Sequence, residues 1–375
     1  MAGGITRSHY GTGEAPRMKI RGHSGEPETT TVGSCRPRPK VSVVISCRNE
    51  RDHIGRCVQS VLASESPGDL EVIVVDGMSS DGTREILGAI QERCPAVRVV
   101  DNPKRTTPAA VNIGVREADG DVVVTLGAHC ELSPGYIRAV TGLLLSRTEV
   151  GCAGGRTVPR ATRGSFQKVL AAVLASPFGV GNSYFRVATS GRREVDTVAY
   201  GAYWKDVVDR AGGFDERLTR NQDIELNHRV RRLGYKILLD PSAVVYYEPR
   251  PSLRAFARQS FGNGFWNIVT WTVTPGSLSW RHFVPLAFVL STIALGLTGT
   301  LLPPAHALLC VMLGVYGFLS LAESLRLACQ AREPLLLVAS LVFPVLHVSY
   351  GSGSACGIGF VLLRRREGGS NAGAP

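Results

Sequence analysis

From residue 41 to residue 144 the chain alternates short β-branched apolar runs with stretches of helical periodicity, and this alternation restricts its fold more than any other feature. VSVVIS (41–46), EVIVV (71–75), VRVV (97–100) and DVVVTL (121–126) have the length and composition of buried strands. Between the first two, Ile54, Cys57, Val58, Val61 and Leu62 recur at i, i+3, i+4, i+7 and i+8, one face of a helix. Ile86, Leu87 and Ile90 mark a second helix, residues 108–118 a third, and Tyr136, Ile137, Val140, Leu143 and Leu144 a further one. Repeated strand–helix units predict an α/β fold: a parallel sheet covered by helices on both faces. Ligands of such sheets bind beyond the carboxyl ends of the strands.

Acids and a histidine stand at that edge. In VIVVDGMSSDGTREI (72–86), Asp76 directly follows the second strand and Asp81 comes five residues later. GAHCE (127–131) follows the fourth strand. A turn acid at Asp76 and a helix N-cap at Asp81 account for the same residues without any ligand.

The C-terminal part reads differently. Whole-chain averages of 44% hydrophobic and 19% charged residues conceal three long apolar runs within 283–363. FVPLAFVLSTIALGLTGTLL (283–302) carries no charge over about 20 residues, enough to span a bilayer. Residues 305–322 form a second run, and 335–363 a third, interrupted by GSGS at 351–354. Charge bias places the loop with Arg326 and Arg332 in the cytoplasm. Three full spans would then put Arg364, Arg365 and Arg366 outside, against the rule, and a re-entrant third segment bent at GSGS is the alternative.

The predicted organisation is therefore a basic, disordered tail (1–39), a catalytic domain (40–250), an interfacial helix region (251–282), a transmembrane region (283–363) and a polar tail (364–375). The tail lacks an apolar block and does not read as a signal peptide, which keeps the domain after it in the cytoplasm. A net charge of +11 suits an anionic membrane surface or a phosphorylated substrate. Zinc-finger spacing and basic-aromatic RNA motifs are absent, so no nucleic-acid partner is expected. Nine scattered cysteines without a CxxC pair read as buried free thiols of a reducing compartment.

VSVVISCRNE, VDGMSSDGT and NQDIELNHR, in this order on a βα framework, resemble family 2 glycosyltransferases of the GT-A fold, over roughly residues 40–270. NPKRTTPAAVN (102–112) and PRPSLRAFARQSFGNGFW (249–266) resemble, more narrowly, the membrane-bound succinoglycan-type enzymes of polysaccharide assembly. The resemblance implies inverting transfer of a sugar, with UDP-hexose the expected donor, from a nucleoside diphosphate to a hydroxyl of a lipid-linked or polysaccharide acceptor. It implies nucleotide contacts from Ser46, Glu50 and Asp76, with Asp81 shaping the loop, and added positive charge from Lys104 and Arg258. It implies a catalytic base at Asp223, with Glu225 the nearby alternative. The family holds a divalent cation, Mn2+ or Mg2+, on Asp-x-Asp after the fourth strand. Here Gly127 replaces the first acid and His129 stands at the second, so His129 and Glu131 are the candidate ligands. A hydrogen bond from His129 to a phosphate or the backbone is the plainer role.

Two other activities fit the same residues. One is transfer to a polyprenyl phosphate, whose ionised oxygen needs no base. The other is a catalytically silent nucleotide-sugar-binding subunit of a polysaccharide-assembly complex, a reading that Gly127 sustains.

Overall fold

The computed structural model describes residues 38–162 and 164–370, with side chains as far as Arg364. The predicted basic tail lies outside the described residues, apart from positions 38 and 39, and so does the end of the polar C-terminal tail.

The chain opens with β1 (Val41–Cys47), α1 (Ile54–Leu62), β2 (Leu70–Asp76), α2 (Thr83–Arg93), β3 (Val97–Asp101), α3 (Thr107–Glu117) and β4 (Val122–Gly127). These elements follow the alternation in the sequence. Along β1 the side chains of Val41, Val43 and Ile45 join one core cluster, while Val44 joins the other, as the two-residue period of a strand requires. The first cluster lies under α1, the second under α3. Ile54, Cys57, Val58 and Val61 of α1 are buried, whereas Leu62, last of the predicted stripe, is exposed where the helix ends. Gly114 lets α3 approach β1 closely, because a Cβ there would run into the Val44 side chain.

After β5 (Cys130–Leu132), α4 (Tyr136–Ser146) and β6 (Val150–Pro159) come the short helices α5 (Ser165–Leu174), α6 (Pro177–Val180) and α7 (Tyr184–Val187). Then follow β7 (Arg193–Glu194), β8 (Ala202–Trp204), α8 (Lys205–Ala211), α9 (Gln222–Arg232) and β9 (Lys236–Tyr247). The described strands form one sheet in the order β3-β2-β1-β4-β8-β6-β9-β5, with β7 on β9. The sheet is mixed, which corrects the expectation of a parallel one. β1, β2, β3 and β4 are parallel, but β8 runs antiparallel between β4 and β6. A strand reversed at this place brings the chain before Ala202 to the carboxyl end of β4.

The remaining elements are α10 (Leu253–Val273), α11 (Val284–Gly299), α12 (Pro303–Ala331) and α13 (Ala339–Ser370). Two helical stretches are long and apolar enough to cross a membrane: Pro303–Ala331, with mean hydropathy 1.9, and Pro334–Arg364, with 1.8. Only 6% of the most apolar window of α12 is buried against the chain, so it is not a core helix. The predicted first span is shorter than expected: α11 has 16 residues, a length of about 24 Å against a hydrocarbon core of about 30 Å. The predicted charged loop at Arg326 is part of α12, where Arg326 pairs with Glu323.

GSGS at 351–354 is helical and does not bend the chain. Its small residues serve a close helix contact: a Cβ on Gly353 would strike the Phe261 carbonyl of α10, and one on Gly264 of α10 would strike the Tyr350 carbonyl of α13. Small residues at such a crossing let two backbones touch. The same apolar helices bury Val169, Leu170 and Val173 of α5 together with Phe256 and Phe343.

Candidate active site

The carboxyl ends of β1, β2 and β4 are level. Cys47 lies opposite Asp76 and Ser46 opposite Gly127. The sequence places an acid, a hydroxyl and a side-chain-free residue along this edge, and the loops leaving it are clasped together. Asn49 N–H donates to Ser79 Oγ (2.8 Å), and Ser80 N–H to Asn49 Oδ1 (3.0 Å). Glu50 N–H donates to Thr83 Oγ1 (2.9 Å). Asp81 accepts from Arg51 N–H (3.2 Å) and Thr83 N–H (3.1 Å), and the Thr83 hydroxyl bond holds its carboxyl below the usual range. Asn49 and Met78, at φ 53 and 58, occupy the left-handed region inside this clasp. Asp81 thus joins the two loops and the start of α2.

Asp76 is fully buried. Its carboxylate accepts from the Ser79 amide (3.0 Å) and hydroxyl, and faces Arg84 Nη1 at 3.5 Å. Arg84 in turn pairs with Asp101 at 2.6 Å. Three of the roughly four acceptor positions of the carboxylate are therefore taken, and direct contact with a nucleoside needs the loop at Ser79 to shift. Ser46 Oγ lies 3.4 Å from the Leu126 carbonyl.

Glu50 sits between two imidazoles. Its Oε1 is 3.3 Å from His129 Nδ1, and its Oε2 is 3.1 Å from His53 Nδ1. His53 Nε2 reaches Glu248 at 2.8 Å. Gly127 leaves the room that His129 occupies, since a Cβ there would be 3.2 Å from the His129 ring. Glu131 turns to other partners. It meets Arg56 Nε at 3.2 Å and Arg160 Nη1 at 3.5 Å, and Arg160 stacks over Tyr246. Both of these guanidiniums would have to release Glu131 before it could ligate a metal. Among the described residues no three His, Cys, Asp or Glu side chains form a metal-binding group. Glu50, expected at the nucleotide, instead forms a two-donor pair with His129. Such a pair suits a cation that takes its other ligands from substrate phosphates, as magnesium commonly does. His53, Arg56, His129, Glu131, Arg160 and Tyr246 line one pocket.

Asp223 opens α9 in a different environment. No hydrogen bond or ion pair holds its carboxyl among the described residues. Burial pushes it up to about 7. It lies within electrostatic range of Cys152, Tyr200 and Tyr203. Tyr200 connects the two halves of the site. Its ring comes within 3.6 Å of where a Cβ on Gly127 would stand, and its carbonyl accepts from Tyr136 Oη at 2.7 Å. Tyr200 is held at φ 55.

Glu225, the alternative base, is 1% exposed and engaged on both oxygens by Arg229 (2.7 and 2.5 Å), and it also accepts from Thr274 Oγ1 at 2.9 Å. Arg229 also donates to the Ala211 and Gly213 carbonyls. Glu225 thus stands in a buried ion pair with Arg229, unlike the unpaired carboxyl of Asp223. Lys104 is paired with Glu216 at 2.6 Å, docking the loop after α8 onto the α3 side. Arg258 stands exposed on α10 with no partner among the described residues. The residue before α9, Asn221, donates to Asn267 of α10 at 2.7 Å, and Asn267 donates to the Tyr350 hydroxyl of α13.

Residues 42–196 match the profile of Glycosyl transferase family 2. The succinoglycan biosynthesis protein ExoA of Rhizobium meliloti (strain 1021) is 31% identical over 318 residues, 83% of this chain and 92% of that protein. The chain belongs to glycosyltransferase family 2. A second relative of this glycosyltransferase is the dolichyl N-acetyl-alpha-D-glucosaminyl phosphate 3-beta-D-2,3-diacetamido-2,3-dideoxy-beta-D-glucuronosyltransferase of Methanococcus voltae, 24% identical over 83% of this chain and 95% of that one. Among solved structures, a mannosyltransferase from Pyrobaculum calidifontis in complex with GDP-Man and Mn2+ aligns with TM-score 0.56 at 21% identity, covering 82% of this chain and 87% of that one. That likeness establishes the shared GT-A fold.

His53, Arg56, Arg160 and Glu248 join the site with no local signal in the sequence. His53 and Glu248 meet across 195 positions, which no local pattern reveals.

Proposed function

We propose that this glycosyltransferase moves a hexose, with inversion, from a nucleoside diphosphate to a hydroxyl of a lipid-linked sugar at the cytoplasmic membrane face. The observation that carries this reading is Asp223. Its carboxyl has no competing partner among the described residues, and burial brings its affinity for a proton near neutrality. A base works best when its pKa lies near the operating pH. Asp223 takes the proton of the acceptor hydroxyl as that oxygen attacks the anomeric carbon. The bond to the diphosphate breaks in line on the opposite side.

The strand ends carrying Ser46 and Asp76 and the clasped loop carrying Glu50 hold the nucleoside, with Asp76 acting once Ser79 yields. Glu50 and His129 would hold a divalent cation, which when bound neutralises the departing diphosphate. UDP is the expected nucleotide from the family resemblance. The lipid-linked acceptor draws support from the two relatives above, one named for succinoglycan biosynthesis and one for a dolichyl-phosphate-linked sugar. The apolar helices α12 and α13 support a multi-pass anchor, which would also seat the enzyme beside the other members of a polysaccharide-assembly complex.

The test is transfer itself. Detergent-solubilised protein is incubated with labelled nucleotide hexoses and membrane lipid extract, with Mn2+ or a chelator. Label entering the lipid phase supports the reading. Tight nucleotide-sugar binding with neither transfer nor donor hydrolysis under any condition would replace it with a silent binding subunit.

A further inference from the structure

Several arginines around the catalytic sheet are matched with acids: Arg84 with Asp76 and Asp101, Arg229 with Glu225, Arg281 with Asp196, Arg192 with Asp240. A group at and around the start of α10 is not. Arg220, Arg250, Arg254 and Arg258 form no ion pair among the described residues. Arg254 and Arg258 stand four residues apart on α10, and Gly262 comes four further on, so the three positions share one helix face. Gly262 has no side chain, and the Arg220 guanidinium fills that place. A Cβ on Gly262 would be 3.2 Å from Arg220 Nε, while Arg220 Nη1 donates to Asn263 Oδ1 at 3.0 Å. Arg220 thus extends the line begun by Arg254 and Arg258. Arg250, just before α10, is close enough for its charge to act on Arg220.

Arg220 is half-buried, and its one recorded acceptor is neutral. It also precedes the N-terminus of α9, where the helix dipole is already positive. A half-buried guanidinium beside a second cation and a positive helix end is unfavourable unless an anion is supplied. The described residues supply none. Asp223 follows Arg220 by three residues, and α13 packs along the same α10 that carries Arg254 and Arg258.

We propose that Arg220, Arg254 and Arg258, with Arg250 beside them, bind the phosphate or diphosphate of the lipid-linked acceptor, while the sugar it carries presents its hydroxyl to Asp223. Guanidinium forks match phosphate oxygens in planar, paired hydrogen bonds. Arg220 and Asp223 flank the start of α9, three residues apart, so a phosphate held at the first brings the sugar it carries to the neighbourhood of the second. Apolar residues exposed on α10, Leu253, Phe261 and Trp271, offer a surface for the lipid chain. Arg258 thereby moves from the donor side, where the family resemblance put it, to the acceptor side. This assignment rests on the acceptor reading above and narrows it to an acceptor carried on a phosphorylated lipid.

The experiment uses the full chain in neutral detergent and radiolabelled farnesyl diphosphate as probe. Retention is measured for wild type, Arg220→Gln and the double variant Arg254→Gln/Arg258→Gln, whose side chains are exposed and form no ion pair among the described residues. UDP and GDP binding is measured on the same samples. The expected result is about tenfold weaker retention of the prenyl diphosphate in the double variant, with nucleotide affinity within about twofold of wild type. Retention unchanged in both variants overturns the site. Equal loss of nucleotide binding overturns it too, by returning the arginines to the donor. Competition by phosphatidylglycerol as effective as by the probe would show a general membrane-surface patch, and equally effective inorganic pyrophosphate would show that no lipid is recognised; either overturns the assignment. A wild-type chain that binds no nucleotide would instead remove the donor reading, and the arginine measurement would stand.

Discussion

Replacing Asp223 by asparagine exchanges one oxygen for an amide nitrogen and removes the charge, and it has two linked consequences. The first is kinetic. Loss of a positioned base should lower kcat about 100- to 10,000-fold. With burial pushing the group up to about 7, kcat in the wild type should fall as pH drops through 7, to about one tenth of its plateau at pH 6. The second is thermodynamic. In the unfolded chain this carboxyl ionises at its ordinary value of 3.8, whereas in the fold it keeps its proton to about 7. Above pH 4 unfolding therefore releases a proton, and the folded state loses stability as pH rises, until both states are ionised above pH 7. Three pH units at about 1.4 kcal/mol each set a ceiling of about 4 kcal/mol. The amide escapes this cost, so Asp223→Asn should melt higher than wild type at pH 8 and near wild type at pH 4.5. The assays are a pH–rate profile with saturating donor and thermal melts at both pH values in one detergent. A rate inflection near pH 4, or a melting difference that does not grow with pH, would show that the carboxyl is solvated and refute the argument.

Glu225→Gln should destabilise the fold by about 3 kcal/mol by leaving Arg229 uncompensated, and the double change with Arg229→Met should recover part of that in thermal melts; an equally inactive but fully stable single variant would make Glu225 catalytic instead. His129→Ala should abolish stimulation by Mn2+ while UDP binding in chelator, followed by calorimetry, stays unchanged; persistent stimulation would place the cation elsewhere. Gly353→Leu, which drives a side chain into the Phe261 carbonyl, should lower the melting temperature of the detergent-solubilised protein, with a cost of about 1–3 kcal/mol typical of overpacking.

Much of the framework was legible because each parallel strand is a β-branched run flanked by a helix with one apolar face. β8 was not, since three residues, Ala202–Trp204, carry no periodicity and their pairing with β4 and β6 is decided by tertiary contacts. α11 was read too long because apolarity continues past Gly299, where the helix packs against His306 and ends. GSGS looked like a bend because glycine weakens an isolated helix, whereas against α10 the missing side chains are what the contact requires. At the site, Asp223 and Glu225 are both first-turn acids, but Arg229 lies four residues after Glu225, the spacing of a helical ion pair, and that signal separates them in the sequence itself. Glu131 offers no such clue: its partners Arg56 and Arg160 are brought to it by α1 and by the chain leaving β6.

The link from Asn221 through Asn267 to Tyr350 ties the first turn of α9 to a helix apolar enough to lie in lipid. The turn that carries Asp223 is therefore tied to that apolar helix as well as to the sheet. A thicker or thinner hydrocarbon layer that tilts α13 would pull on the catalytic turn through two asparagine side chains, so turnover in nanodiscs should vary with acyl-chain length even when every substrate is saturating.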